Sequence, residues 1–465
     1  MKAKQHQNFV LMVIAALAVI SLFGALALYL QGPRIRAVRF ELDPSTNSRL
    51  VDSKITIEFN RQIRQADYTE QVIIEPAVAF TTTTQNNSIT VILSDNLSQN
   101  TEYTLSILPE VYDLSDRAMS ATHIHQFKTS PARYAYIERN YGREDSDTVF
   151  ATRDKDDHVY IASIDGKTET VFRHPMIAEI ASNSRYLLVS TDTGERFNDL
   201  QYINLETREA LNIPTDIQAR ISDLSVHPSA PIGVYTVTPD FQSVDEQTYQ
   251  SFANRVRATN FETGESWYLT DQSGEYLRAF ELDYTGSSQA ILLQDPAQDF
   301  FLVSAFNDFD PVPLGSFTET FGFNDRGTSI LFRSFEDIVR FDIASGETTL
   351  VNYSDPSAIV STADRNSATF AHIQSSAFTR GSNTLLNLDG EGGNELWNDR
   401  LIDGRLGNYS LSYDALYAGL LIRPDSCTLD QVTPNTQCRE SYTEILEIMT
   451  GETTRVNGFN VIWLP

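Results

Sequence analysis

"NFETGESWYL", residues 260–269, returns as "DIASGETTLV" at 342–351 and as "EIMTGETTRV" at 447–456. In each copy Gly264, Gly346 or Gly451 follows Thr or Ser where two strand-like runs meet. A tight hairpin turn needs positive φ at such a place, and Gly has no Cβ to oppose it. These glycines are expected to be structural, and the Glu after each is expected to face solvent. Looser copies are "NLETREALNI" at 204–213, "SIDGKTETVF" at 163–172 and "NLDGEGGNELW" at 387–397.

A second signature alternates with the first: an apolar stretch, a turn of Ser, Asn or Asp, then a strongly apolar strand. It reads "IASNSRYLLVS" (180–190), "LSVHPSAPIGVYTV" (224–237), "ELDYTGSSQAILL" (281–293), "GFNDRGTSILF" (322–332), "STADRNSATFAHI" (361–373) and "LSYDALYAGLLI" (411–422). Together the two signatures define a four-stranded unit with a period of roughly 40 to 57 residues. One such blade cannot bury both faces alone, so blades must stack around an axis and the ring must close. Six inner hairpins are recognisable, with an incomplete unit at 133–174 and a strand-like "GFNVIWLP" at the end of the sequence. If Val461 to Leu464 supplies the strand that the first blade lacks, the ring closes with seven blades; six and eight are the alternatives.

This half, about 132–465, resembles the TolB-like and WD-repeat-like β-propellers through "NFETGESWYL", "DIASGETTLV" and "FNDRGTSILF". It departs from the TolB pattern Trp-Ser-Pro-Asp-Gly, in whose place stand "LSVHPSAP" and "GFNDRGTS". The resemblance implies a fold more than a function. Propellers bind through loops at the axial mouth, so those loops are where a site is expected.

Between Arg36 and about Pro131 the apolar residues alternate over short runs, "KITIEFN", "QVIIEPAV", "SITVILSD", "EYTLSILPE" and "HIHQFKTS". Period-two alternation at this spacing predicts half-buried strands in a two-sheet sandwich. In "LSQNTEYTLSI" Tyr103 stands where its hydroxyl can fold back onto the backbone of a corner. The segment 36–131 resembles the bacterial Ig-like domains of the S-layer-protein type through "ITIEFNRQI" (55–63), "VIIEP" (72–76), "LSQNTEYTLSI" (97–107), "VYDLSDRAM" (111–119) and "FKTSP" (127–131). Where that family often has Asp-Gly, "DLSDRAM" must turn at Asp116 and Arg117 without Gly. The resemblance implies a spacer or adhesion module and carries over no catalytic residues.

Residues 9–30, "FVLMVIAALAVISLFGALALYL", contain no charge. As a helix they would extend about 33 Å, enough for a bilayer core of ~30 Å. The sequence therefore predicts an uncleaved membrane anchor over 9–30 after a short cytoplasmic tail, 1–8. A cleaved signal peptide competes through "ALA" at 25–27, but the apolar run continues past that point. Cys427 and Cys438 are the only cysteines and bracket the polar loop "TLDQVTPNTQ". A disulfide there would contribute about 3 kcal/mol and would belong to an oxidising compartment, which places the body at the cell surface or in the periplasm. A pair of buried thiols is the alternative.

The composition, with 26 Phe, 20 Tyr and a formal charge of −27, is that of an acidic all-β protein. Such a charge disfavours nucleic acid, whose binding depends on Lys and Arg, and leaves cations or a basic partner. His123 and His125, at i and i+2, share a strand face, but no further ligand accompanies them and they are expected to be a plain exposed pair. "REDSDT" (143–148) and "DKDD" (154–157) lack the spacing of a Ca²⁺ loop and read as solvated turns, so no cofactor or metal is expected. The insertion "DFQSVDEQTYQSFANR" (240–255) is either a cover for an axial mouth or a surface loop. Trp267 and Trp397 follow the turn motif at one strand position, which favours core packing over sugar stacking.

There is no G-x-S-x-G, H-E-x-x-H, phosphate loop or C-x-x-C, and no α/β-hydrolase domain is expected after the last blade. The expectation is a membrane-anchored, non-enzymatic interaction or adhesion protein, with the Ig-like spacer presenting a propeller to an envelope or extracellular protein or glycan. The alternatives are a propeller hydrolase acting on carbohydrate or peptide, with acid and base drawn from scattered blades, and an accessory subunit of an envelope complex.

Overall fold

The computed structural model describes residues 21, 32–45, 53–94, 97–140, 156–183, 185–192, 198–215, 218–227, 230–284, 290–323, 329–335, 337–351, 358–362, 369–374, 383–387, 394–398, 404–412, 416–424 and 440–464, with the backbone alone within 358–408. The chain divides into two compact units, Met1–Ser130 and Pro131–Pro465.

In the first unit the alternating runs become strands whose apolar side chains point one way. Lys54–Phe59, Ser88–Leu93 and Glu102–Ile107 bury every second residue, including Ile55, Ile57, Phe59, Ile89, Val91, Leu93, Tyr103, Leu105 and Ile107. A four-stranded sheet contains Ile35–Phe40, Lys54–Phe59, Ser88–Leu93 and Phe80–Gln85 in that spatial order, and a three-stranded sheet contains Val72–Glu75, Glu102–Ile107 and His123–Lys128. Their apolar faces form one core. At the corner, the Ser98 backbone N–H donates to the Tyr103 hydroxyl at 2.9 Å. The turn without Gly is made by Asp116 at φ 60° and tied down by Asp113, which accepts from the Ser115 and Arg117 backbone N–H groups and from the side chains of Arg61 and Arg117.

The second unit is a ring of seven four-stranded antiparallel sheets among the described residues. Blade 2 runs from Ile177–Ser182 to Ala210–Ile213, blade 3 from Ala219–Val226 to Ser266–Tyr268, and blade 4 from Glu281–Tyr284 to Val312–Ser316. Blade 5 runs from Glu319–Phe323 to Thr348–Leu350, blade 6 from Ala358–Thr362 to Asn394–Asn398, and blade 7 from Gly404–Leu411 to Thr453–Val456. Blade 1 takes Arg133–Glu138, Asp157–Ser163 and Thr168–His174 from the start of the unit and Phe459–Leu464 from its end. Ile462 pairs with Ala135, Trp463 with Tyr134 and Leu464 with Arg133, so the two ends of the ring share one sheet.

The second strand of each blade explains the strongly apolar runs. Tyr186–Asp192 and Ile232–Pro239 are buried along almost their whole length because neighbouring blades cover both faces, whereas the outer strands Ala210–Ile213 and Thr453–Val456 are mostly exposed. Apolar clusters join blade 2 to 3, 3 to 4 and 4 to 5. At the seam Trp463 packs on Tyr134 and Tyr417, with ring centroids at 5.3 and 6.0 Å, and its indole N–H donates to the Ser410 carbonyl.

Several sequence expectations are corrected. Among the described residues no helix is long and apolar enough to cross a membrane, which removes the anchor from the fold class. Of 9–30 only Ser21 is described, and the remainder lies outside the described residues together with 1–8. An apolar run sets hydropathy, whereas a span needs about 20 residues in one continuous helix. Besides helical Ser21, the helices described are a single turn, Thr69–Gln71, and Glu246–Phe252. The insertion 240–255 is no bland loop, because Asp245 caps that second helix by accepting from the Thr248 N–H. Within "DKDD", Asp157 is fully buried rather than solvated, and Arg139 reaches it at 3.3 Å. His123 and His125 are half-buried, and His125 packs on Phe40 with ring centroids 5.9 Å apart.

Candidate functional site

The axial channel is lined by the first strand of each blade, and strand register shows what those strands present. Counting pairs from the turn that ends each first strand, the fourth pair is Glu179 with Ser190 in blade 2, Glu281 with Gln294 in blade 4 and Glu319 with Arg333 in blade 5. In blade 3 the strand bulges between Ser222 and Ser225, and Asp223 occupies the bulge at φ 55° next to the same level. Four successive blades thus place a carboxylate on one rung of the channel wall. In an antiparallel blade this rung lies near the end where the chain enters the first strand, opposite the Thr-Gly-Glu turns.

Their environments differ. Burial raises the Glu179 carboxyl to about 7, the Asp223 charge adds to it, and the backbone N–H groups of Leu224 and Asp223 oppose it. Leu224 donates to Glu179 Oε1 at 3.2 Å. Glu281 is also raised, by partial burial of its carboxyl first and then by the charges of Asp283, Asp223 and Glu319, although the residue as a whole is exposed. Asp223 Oδ2 accepts from Thr236 Oγ1 at 2.8 Å and from Ser222 Oγ at 3.2 Å. Glu319 is neutralised by Arg333, whose Nε lies 3.0 Å away. Among the described residues Glu179, Asp223 and Glu281 have no ion-pair partner. Gly322, at φ 88°, admits the Asp283 carboxylate so closely that a Cβ there would lie 2.7 Å from Oδ2.

Such a rung can attract a cationic group, and a carboxyl raised toward neutrality beside ionised neighbours can hold or release a proton near pH 7. No group of three or more His, Cys, Asp or Glu among the described residues is arranged to hold a metal ion. His123 and His125 have no partner ligand in that sense.

Gly264, Gly346 and Gly451 lie at φ 74°, 69° and 73°, and their N–H groups donate to Asn260, Asp342 and Glu447 carbonyls to close the turns. In the copy at 204–213 Arg208 adopts φ 64° in place of Gly. Cys427 and Cys438, the stretch 143–148 and the side chain of Trp397 lie outside the described residues. Trp267 is half-buried and donates to the Ala305 carbonyl. The acidic rung went unread in the sequence although a signal exists: Glu179, Asp223 and Glu281 each stand three residues before the last residue of a first strand, and Glu319 stands four before.

The fold thus defines a two-part all-β chain, an Ig-like sandwich followed by a seven-bladed propeller with an acidic axial rung. Residues 37–129 match the family model of the bacterial Ig-like domain. No curated protein matches the chain. Among solved structures the chain is similar to TolB from Acinetobacter baumannii, at 12% identity over 84% of this chain and 82% of that one, with a TM-score of 0.39. It is also similar to the Cps50 (Swd1) β-propeller domain of Myceliophteria thermophila, at 9% identity over 62% of this chain and 89% of that one, with a TM-score of 0.41. The propeller assignment rests on the strand pairings rather than on these superpositions.

Proposed function

We propose that this is a non-enzymatic interaction protein of the cell envelope, in which the Ig-like unit serves as a spacer and the propeller captures a protein partner through a Lys- or Arg-bearing segment at the acidic end of its channel. The observation that carries this reading is the carboxylate rung across four successive blades, three of whose members lack an ion-pair partner among the described residues. A cationic segment would supply the missing counter-charge, and the formal charge of −27 would steer it inward. The test is a pull-down with the full chain against envelope proteins and polysaccharides, repeated with Glu179→Gln/Glu281→Gln and at raised salt. Capture of a protein that weakens in both arms supports the reading. Capture indifferent to both, or capture of polysaccharide alone, overturns it.

The extracytoplasmic placement is part of the proposal and is supported by the spacing of Cys427 and Cys438 around a polar loop. Thiol alkylation of the chain as isolated, with and without reductant, checks it by mass: two thiols modified before reduction would count against it.

A second reading, a hydrolase, is favoured by one feature, the Glu179 carboxyl raised to about 7 beside Asp223. A raised acid next to an ionised carboxylate is how glycosidases divide their two roles. Turnover of a glycoside or peptide substrate that disappears in Glu179→Gln would establish it.

A further inference from the structure

Between blades 3 and 4 lies a cavity of about 780 Å³, distinct from the channel rung and independent of the reading above. Two departures from the blade repeat build it. One is the insertion ending in Glu246–Phe252, which returns to the blade at Arg255. The other follows the outer strand Ser266–Tyr268, where the chain makes an extra hairpin instead of passing directly to blade 4. In it the Leu277 N–H donates to the Leu269 carbonyl, and Gly274 makes the tip at φ 82°. The return arm pairs with the start of the third strand: the Val256 N–H donates to the Leu277 carbonyl, and Arg255 bridges Arg278.

These additions put two arginines on the cavity wall. Arg255 is only 8% exposed. Its guanidinium lies between the Phe252 and Tyr276 rings, 3.8 and 3.7 Å from their centroids, and its Nε donates to the Ser251 carbonyl at 2.7 Å. Arg278 Nη2 donates to the same carbonyl at 3.3 Å. Neither arginine forms an ion pair with a carboxylate among the described residues. A largely buried arginine without a counter-anion is costly, and ring stacking and the hydrogen bond with the Tyr276 side chain offset only part of the cost. On the blade 4 side the cavity is lined by half-buried Phe301, while Leu293 and Val303 lie behind it in the core at 2% and 1% exposure.

Three acids also line the cavity: Asp271, Glu275 and Asp295. Two are committed to their own turns. Asp271 accepts from Ser273 Oγ and the Glu275 N–H, and Asp295 accepts from the Ala297 and Asp299 N–H groups. Their charge opposes any anion, and a dianion such as a phosphate ester more than a monoanion.

We infer that this cavity binds a monocarboxylate with an apolar body, its carboxylate on Arg255 and its body against Phe301. The guanidinium fork matches a carboxylate, and the apolar wall covers the rest. Such a carboxylate has two sources, a free organic acid or the C-terminus of a peptide ending in an apolar residue.

The test is titration calorimetry on the full chain with 4-phenylbutyrate, its amide and phenylbutyl phosphate, and with one apolar hexapeptide carrying either a free or an amidated C-terminus. The acid should bind at least about tenfold more tightly than its amide, since a charge-assisted bond to a buried guanidinium is lost, and the phosphate should not exceed the acid. A peptide bound more tightly than the acid, and only with a free C-terminus, identifies the peptide source; the reverse order identifies the free acid. Arg255→Lys keeps the charge and loses the fork, and should weaken the acid measurably, while Arg278→Gln tests the second cation without disturbing the stack on Phe252. The inference is overturned if no probe binds the unaltered protein saturably, if acid and amide bind equally, or if both arginine variants leave acid binding unchanged.

Discussion

Replacing Trp463 by Ala should open the propeller at its seam. Trp463 is 3% exposed, belongs to the only strand that joins the end of the ring to its beginning among the described residues, packs on Tyr134 and Tyr417, and donates to the Ser410 carbonyl. Truncating a buried Trp costs about 3–5 kcal/mol through lost burial and the cavity left behind. With a urea dependence of about 3 kcal/mol per M, the unfolding midpoint should fall by roughly 1 M or more. The assay is urea unfolding followed by tryptophan fluorescence. All three Trp, at 267, 397 and 463, lie in the propeller half, so the two that remain report that unit and not the Ig-like one. Met449→Ala is the control, since Met449 is 80% exposed and such surface changes stay within about 0.5 kcal/mol. A Trp463→Ala midpoint equal to that of Met449→Ala would refute the strand-exchange closure as the element that holds the ring.

The other expectations are checked in the same assay or by pH titration. Glu179 is raised from its ordinary 4.5 to about 7, so its ionisation opposes folding: the penalty is absent below 4.5, grows as pH rises toward 7 and is full above that. Glu179→Gln should therefore stabilise the propeller by roughly 2–3 kcal/mol at pH 8 and leave it unchanged at pH 4; equal effects at both would contradict the burial argument. Asp157→Ala removes the partner of buried Arg139 and the acceptor of the Ile177 N–H, and should cost about 3–5 kcal/mol; a loss under 1 kcal/mol would show the pair to be dispensable. Gly264→Ala places a side chain at φ 74° with no neighbour within 4 Å to clash, so the backbone alone should cost about 1–2 kcal/mol. In the Ig-like unit, burial would raise the Asp113 carboxyl, but hydrogen bonds from Arg117, Ser115 and Arg61 outweigh it and hold it below its ordinary range. Its contribution is present above about pH 4 and is lost as pH falls through the lowered value, so Asp113→Asn should flatten the acid limb of that unit's stability curve, followed by the amide exchange of its strands because no Trp reports it; an acid limb as steep as that of the unaltered protein would contradict this.

Much of the architecture was legible in the sequence because turns and buried strands are local. The positive φ at Gly264, Gly346 and Gly451 and the apolar second strands follow from residue types within ten positions of one another, and their repetition marks stacked blades while leaving six, seven or eight of them open. The Tyr103 corner and the non-Gly turn at Asp116 are local in the same sense. The candidate sites were not. Glu179, Asp223, Glu281 and Glu319 are separated by some forty to sixty residues each and become neighbours only when blades 2 to 5 stand side by side.

What the sequence determined by itself was therefore the repeat, the sandwich and the strand left over at the end, since periodicity and turn chemistry act along the chain. Only the tertiary structure decided that the four carboxylates share a rung, that Asp157 is buried against Arg139, and that the insertion before Arg255 contributes to the wall of a cavity. Burial and electrostatics act through space, and the one mark along the chain, a carboxylate three or four residues before the end of a first strand, has meaning only once the strand ends and the order of blades are known.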